Sequence, residues 1–250
     1  MRAGCAGVQA SRFILGAILL FVNPCLALGQ ASAPPNCNLI ASPPPLATFG
    51  GPATATRGYT ELGLAVGGYG ELVSSPCDHG GGTDWFARWR RGLSDRIDLG
   101  FDVVGNQQSD GSFGATAKVA VRYQVNPGFR LEAGLGAADE GDGRSVNADL
   151  AATIGTRNPD QTWNYYTSFR VAGSHGCATL LCAGSLAGAG AILPGAILPL
   201  GVIGSSARIS DNARFIMEGG LGGIFSREHP SSGVYIHLSF GVQFDVGKSR

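Results

Sequence analysis

The chain has 250 residues, a formal net charge of zero and only 14% charged residues, against about 25% in ordinary soluble proteins. A soluble protein of this length could hardly cover its surface with so few charges, and no basic patch suited to nucleic acid stands out. The composition therefore argues against an ordinary soluble domain and against a nucleic-acid-binding protein.

The first 33 residues have the features of a secretory signal peptide. Arg2 and Arg12 precede an apolar run at residues 13–22 that is too short to cross a membrane as a helix, and small residues suited to cleavage follow it. Residues 34–57 are rich in proline and small residues, so they are predicted to form an extended periplasmic leader. We therefore expect an exported protein whose folded part is residues 58–250.

From residue 59 onward the chain repeats one unit, an alternating segment followed by a turn. Side chains alternate across a β-strand, so each segment has an apolar and a polar face. In the last strand, residues 234–246, the apolar face consists of Val234, Ile236, Leu238, Phe240, Val242, Phe244 and Val246. The pattern predicts ten strands. The eighth is predicted at residues 200–208, after a long apolar loop at residues 174–199 that glycines and prolines interrupt.

A barrel with lipid outside explains both the low charge and the two-faced strands. Apolar faces would meet hydrocarbon, polar faces would turn inward, and closure would leave no unpaired strand edge. Short and long connections alternate along the chain, and aromatic residues fall near strand ends, as in membrane barrels. The predicted fold is therefore all-β, a transmembrane antiparallel up-and-down β-barrel of about ten strands. A soluble sandwich or lipocalin-like barrel with the faces reversed is the alternative.

The end of the last strand resembles a family signature. Ser239, Gly241, Phe244 and Val246 fit the pattern of polar, glycine and aromatic or apolar residues with which small outer-membrane β-barrels of Gram-negative bacteria, of the OmpA, OmpX and OmpW kind, end. Four residues after Val246 depart from that pattern. The resemblance covers residues 59–246 and implies an outer-membrane location, contact with outer-membrane lipids, and an assembly signal that the barrel assembly machinery recognises.

Charged residues collect on the predicted inner faces with nearly balanced sign. In a bore of this size they could pair into a plug that holds the strands in register, or they could line a narrow polar pore for small solutes. We favour the plug and a structural or surface-interaction role. The predicted lumen-lining charges are Glu61, Asp84, Arg88, Arg90, Asp98, Asp102, Lys118, Arg122, Arg130, Glu132, Asp149, Arg170, Arg214, Glu218 and Asp245.

Catalysis is not expected from this sequence. His237 and Ser239 superficially resemble the His-x-Ser pair of outer-membrane lipid A deacylases, but they fall on the inner face, Phe240 follows them, and the later glutamate of that family is missing. A lipid-modifying hydrolase therefore remains a secondary hypothesis, behind the plug and the pore. No metal-ligand spacing or cofactor motif stands out, so neither a metal nor a cofactor is expected, and the oligomeric state is left open.

Cysteines add one candidate crosslink. Cys177 and Cys182 lie five residues apart in the long loop and form a disulfide candidate in the oxidising compartment that an exported protein meets. The pairing of Cys37 and Cys77 is left open.

Overall fold

The computed structural model describes residue 51 and residues 53–73, 81–108, 111, 113–139, 144–156, 162–177, 196–226 and 232–246. These residues form ten strands: β1 (Thr60–Val73), β2 (Gly81–Gly92), β3 (Ile97–Gln108), β4 (Phe113–Asn126), β5 (Phe129–Asp139), β6 (Arg144–Gly155), β7 (Trp163–Cys177), β8 (Ala196–Ser210), β9 (Ala213–Ser226) and β10 (Ser232–Val246). Within the described part of the chain, no helix has the length and apolar character needed to cross a membrane. The predicted signal peptide, most of the predicted leader, and Cys37, Cys77 and Cys182 lie outside the described residues.

Each strand pairs with its neighbours in the chain, and β1 pairs with β10, so the sheet closes into an antiparallel up-and-down barrel. Tyr59, just before β1, is hydrogen-bonded to Gly92 of β2. When the paired residues are followed from strand to strand once around the barrel from Gly92, the series returns to β1 at Glu71, twelve residues after Tyr59. With strands about 4.8 Å apart and about 3.3 Å per residue, this stagger gives a tilt of about 40° and a backbone radius of about 10 Å. The bore is only slightly wider than that of an eight-stranded barrel, which side chains fill.

The apolar faces of the strands point outward. Exposed and buried positions alternate along β4, and the large aliphatic side chains Ile203, Leu150 and Leu135 are 72%, 66% and 63% exposed. An exposed apolar surface that surrounds the whole barrel is unstable in water and stable in hydrocarbon, whereas the charged side chains face the bore. The predicted transmembrane barrel is therefore confirmed, and the soluble barrel with reversed faces is excluded.

We call the end where β1 begins and β10 ends, which also holds the connections after even-numbered strands, the turn end, and the opposite end the loop end. Two of the turn-end connections are two-residue turns, at Pro127 with Gly128 and at Asp211 with Asn212. The turn-end connection after β6 covers residues 156–162 and is therefore longer than the loop-end connection after β5, which covers residues 140–143. Long strands shorten several loop-end connections, so the alternation of loop lengths is weaker than the sequence indicated.

The eighth strand is longer than the sequence predicted. β7 continues to Cys177 and β8 begins at Ala196, so the connection covers residues 178–195 instead of 174–199. Pro199 lies inside β8, opposite Val171 of β7, while the register with β9 passes from Ile197 directly to Leu200. Proline has no N–H to donate, so it interrupts pairing with β9 and leaves the pairing with β7 intact.

The predicted leader also ends earlier than expected. Thr54 and Ala55 are buried, and Arg57 forms a bridge with Gly92 at the end of β2. These residues therefore belong to the folded barrel and lie at its turn end.

Candidate functional site

The largest cluster of functional groups lies in the bore, mainly on β2 to β7. Because side chains alternate along each strand, the polar positions of these strands all face the same interior. Eleven charged residues that form ion pairs there are called the interior network: Arg88, Arg90, Lys118, Arg122, Arg130 and Arg170, with Glu61, Asp98, Asp102, Glu132 and Asp149. The side chains of the interior network are at most 8% exposed.

Glu132 on β5 lies at the centre of the interior network. Its Oε1 is 2.9 Å from Arg170 Nη2 and 3.4 Å from Lys118 Nζ, and it is 3.7 Å from Arg90 Nη2. Its other oxygen is 3.8 Å from Arg130 Nη2. One carboxylate thus joins cations from four strands, which fixes their positions across the bore.

Two arginines make fork-like contacts that depend on the strand register. Arg88 lies opposite Asp102, and its Nε and Nη2 donate to the two carboxylate oxygens at 3.0 and 3.1 Å. Arg122 lies opposite Asp98 and donates from Nε to both of its oxygens, and its Nη2 reaches Glu61 on β1 at 3.3 Å. Such charge-assisted contacts are stronger than neutral hydrogen bonds. The pairing therefore links neighbouring strands and also links β4 to β1 across the interior.

Small residues make space for this network. Gly100 faces Arg90 across the β2–β3 pair, and a methyl group there would overlap the Arg90 side chain. Gly134 faces Asp149 in the same way, and a methyl group there would overlap a carboxylate oxygen of Asp149. Long charged side chains thus fit into a narrow bore because glycines occupy the facing positions.

The segment before β1 caps the network at the turn end. The backbone N–H of Ala55 donates to Asp98 Oδ2 at 2.8 Å, and Thr54 donates to Gln124 Oε1 at 3.2 Å. Arg130 Nη1 donates to the carbonyl oxygens of Gly51 and Ala53. The backbone of this segment therefore supplies donors and acceptors to charged groups that the strands alone leave unsatisfied.

An apolar row lies next to the network on its loop-end side. Ile216, Ala65, Phe86 and Val104 follow the register across β9, β1, β2 and β3, with Gly241 of β10 between the first two, and they pack with Tyr166. The Arg88 guanidinium lies 4.8 Å from the centre of the Phe86 ring. A second apolar cluster consists of Ala172, Leu198, Leu200, Val202 and Tyr235. Apolar side chains thus occupy part of the bore beside the charges.

A second polar group lies one row further toward the loop end. We call Asp84, Asn106, Glu218, His237 and Ser239 the His237 cluster. Asp84 Oδ2 is 3.5 Å from His237 Nε2, and Glu218 accepts a hydrogen bond of 2.6 Å from the Tyr166 hydroxyl. Neither nitrogen of His237 nor the Ser239 hydroxyl makes a hydrogen bond, so the structure does not assemble the His–Ser pair of a hydrolase.

The predicted lumen charges occupy different depths. Twelve of the fifteen candidates are buried, and Asp84 is partly exposed toward the loop end. Arg214 is half-buried and Asp245 is exposed, both near the turn end. Sequence reasoning missed the buried Thr54 and Ala55, because a proline-rich composition gave no signal for segment docking. Among the described residues, no group of three histidine, cysteine or acidic side chains could hold a metal ion.

The residues of the predicted assembly signal follow the alternation of β10. Ser239 and Gly241 point into the barrel, whereas Val246 is exposed at the turn end and Phe244 is half-buried. Cys177 is the last residue of β7, and its predicted partner Cys182 lies outside the described residues.

No family model and no curated protein matches the sequence. Solved structures with a similar fold include the outer-membrane protease OmpT from Escherichia coli, at 7% identity and a TM-score of 0.42, with 77% of this chain and 98% of that chain covered. An outer-membrane channel from Pseudomonas putida F1 matches at 10% identity and a TM-score of 0.44, with coverage of 78% and 99%. OprG from Pseudomonas aeruginosa matches at 7% identity and a TM-score of 0.34, with coverage of 79% and 99%.

These similarities say nothing about activity, because identities and TM-scores are low. The assignment rests on the closed ten-stranded barrel, its apolar outer surface and its charged interior. Together these features define an integral β-barrel of the outer-membrane class, and the resemblance seen in the sequence is confirmed at the level of the fold.

Proposed function

We propose that this protein is a sealed outer-membrane barrel of the cell envelope, with a structural or surface-interaction role instead of channel or enzyme activity. The observation that carries the proposal is the interior network, in which six basic and five acidic side chains pair across the bore with almost no exposure. Signal-directed export, contact with outer-membrane lipids and assembly by the barrel assembly machinery are parts of the same proposal.

The burial of the charges favours a plug over a pore. Charges that line a water-filled pore are solvated and gain little from pairing, so they have no reason to withdraw from solvent. A buried charge without a partner costs several kcal/mol, so pairing is required once water is excluded. The side chains of Arg90, Arg130 and Arg170 are 0% exposed. This arrangement supports a bore filled by protein.

Two further features support closure. The apolar side chains of Phe86, Val104 and Ile216 fill part of the bore beside the charges, and ions cross apolar regions of a pore poorly. At the turn end, Thr54 and Ala55 pack into the mouth and bond the network. An ion would therefore have to displace apolar and charged groups in turn.

Conductance of the refolded protein in a planar lipid bilayer tests this function. The parent protein is expected to insert without stepwise current at moderate voltage, and its folded state is checked by the mobility shift of an unheated sample on a gel. Regular current steps with defined ion selectivity would contradict the sealed barrel and favour the alternative, a small porin-like channel for polar solutes.

A further inference from the structure

The His237 cluster differs from the interior network in how its polar atoms are satisfied. In the network, atoms without a hydrogen bond include both donors and acceptors, such as Arg90 Nε and Glu132 Oε2, and they belong to side chains that are already ion-paired. In the His237 cluster they are mostly acceptors. The atoms of the cluster without a hydrogen bond are Asp84 Oδ1, Asn106 Oδ1, Glu218 Oε2, both ring nitrogens of His237 and Ser239 Oγ.

These atoms belong to one continuous part of the wall. Along the register, Asn106 lies opposite Asp84, Asp84 opposite Gly67, Gly67 opposite Ser239, and Ser239 opposite Glu218. His237 precedes Ser239 on the same face of β10. Gly67 has no side chain, and a methyl group there would overlap Asp84 Oδ1, so the Asp84 carboxylate extends over the middle of this row.

The groups are deeply buried and yet carry unused hydrogen-bonding capacity. Glu218, His237 and Ser239 are 1%, 2% and 3% exposed, respectively. A buried polar atom without a partner destabilises the fold, so proteins rarely leave several of them together without a ligand or ordered water. None of these atoms forms a hydrogen bond with a cation of the interior network.

The charges and hydrogen-bonding groups of the His237 cluster determine which kind of ligand it can bind. Two carboxylates and an amide oxygen accept hydrogen bonds from donors, and the sum of the charges is negative whether or not His237 is protonated. Within the described part of the chain, the carboxylates and the imidazole do not converge closely enough to hold a metal ion. A larger cation with several N–H donors is the group that fits this spread of acceptors.

An approach to the cluster exists from the loop end. The Asp84 side chain is 14% exposed, and the neighbouring Gly82 and Tyr69 are also partly exposed. The Tyr69 and Tyr235 rings stack at 5.9 Å, and Tyr235 stacks on His237 at 6.4 Å, which places an aromatic wall beside the acidic groups. Aromatic rings beside carboxylates favour cations.

We propose that the His237 cluster binds a small primary-ammonium cation that enters from the loop end. Asp84 and Glu218 accept its N–H groups, Asn106 and Ser239 fix its orientation, and His237 completes the polar wall. The proposal goes beyond the sealed-barrel function. Cation binding and conductance are measured in separate experiments, so the proposed binding site and the proposed sealed barrel can be refuted independently.

Calorimetric titration of the refolded full chain in detergent micelles with 1,4-diaminobutane tests the proposal. The fully N-methylated analogue, which has the same charge and no N–H donor, is titrated in parallel. We expect saturable binding of the diamine and at least tenfold weaker binding of the methylated analogue. Glu218→Gln and Asp84→Asn should each weaken diamine binding at least tenfold, whereas Asp95→Asn, in the exposed β2–β3 turn, should leave it unchanged.

Several results would overturn the proposal. The first is that the folded parent protein does not bind the diamine, which would leave ordered water as the partner of the cluster. The second is that Asp84→Asn and Glu218→Gln leave diamine binding intact. Equal binding of the methylated analogue would exclude recognition of N–H donors. Binding of Ca²⁺ or Mg²⁺ in place of the diamine would assign the cluster to a metal. If Glu218→Gln fails the gel-shift test for folding, the partly exposed Asp84→Asn decides.

Discussion

The side chain of Arg90 on β2 lies directly over the Cα of Gly100 on β3, leaving no space for a methyl group there. The guanidinium is held by Asp102 at 3.3 Å and by the Ala120 carbonyl oxygen at 3.2 Å, so Arg90 cannot move without loss of these contacts. The absence of a side chain at residue 100 is therefore a condition for the interior network.

Gly100→Ala is expected to lower the free energy of unfolding by about 1–3 kcal/mol, because the added methyl overpacks the bore and displaces Arg90. Gly70→Ala is the matched control, since a methyl group at Gly70 meets no atom within 4 Å. Guanidinium titration of both variants in lipid vesicles measures the difference. Equal stability of the two variants would show that Arg90 relaxes at no cost.

Arg122→Ala removes the partner of two buried carboxylates, Asp98 and Glu61. Loss of a buried ionic partner costs about 3–5 kcal/mol, and partial removal of the plug should allow transient conductance that the parent lacks. Arg208→Ala is the control, because its ion pair with Asp211 is exposed and should contribute at most about 1 kcal/mol. Unchanged stability of Arg122→Ala together with altered ion selectivity would favour the pore.

Gly92→Ala should loosen the segment that caps the turn end. A methyl group at residue 92 would overlap the backbone oxygens of Ala55 and Thr56, which cannot move independently of the segment. We expect faster hydrogen exchange of the Ala55 amide, which is bonded to Asp98 in the parent. Gly68→Ala, where the nearest atom is at an ordinary 3.5 Å, should not change that exchange rate. A protected Ala55 amide in Gly92→Ala would contradict the docking of this segment.

Sidedness can be tested on intact cells. An epitope inserted after Gly111, in the β3–β4 connection at the loop end, should bind antibody from outside, whereas one inserted between Asp211 and Asn212 should bind only after the outer membrane is opened. Both insertions are checked for folding by the gel shift. Labelling of the Asp211 turn on intact cells would reverse the proposed orientation.

The architecture could be predicted because it depends on short-range periodicity. Alternating apolar side chains in β4 and β10 reveal strands, and the shortage of charge indicates which face meets lipid. Pro199 misled the prediction, because sequence alone does not show that a proline inside a strand can lose pairing on one side and keep it on the other.

The pairing in the interior was harder to predict, because it depends on register and tilt. Arg88 with Asp102 is a direct cross-strand pair, but the contact of Arg122 with Glu61 joins strands that are three apart in the chain. Register also brings Asp84 beside His237, 153 residues away in the chain. The His237 cluster could have been suspected only from the polar face of β10, which the sequence showed without its partners.

The placement of most strand charges on the inner face of the barrel has a consequence for biogenesis. A slip of one residue in any strand exchanges its two faces and turns its charged side chains toward the hydrocarbon. Near the bilayer midplane each exposed arginine or lysine costs about 2–4 kcal/mol. For β4, such a slip would turn both Lys118 and Arg122 outward at once. The bilayer thus adds its own energetic penalty for incorrect register to the loss of the interior contacts.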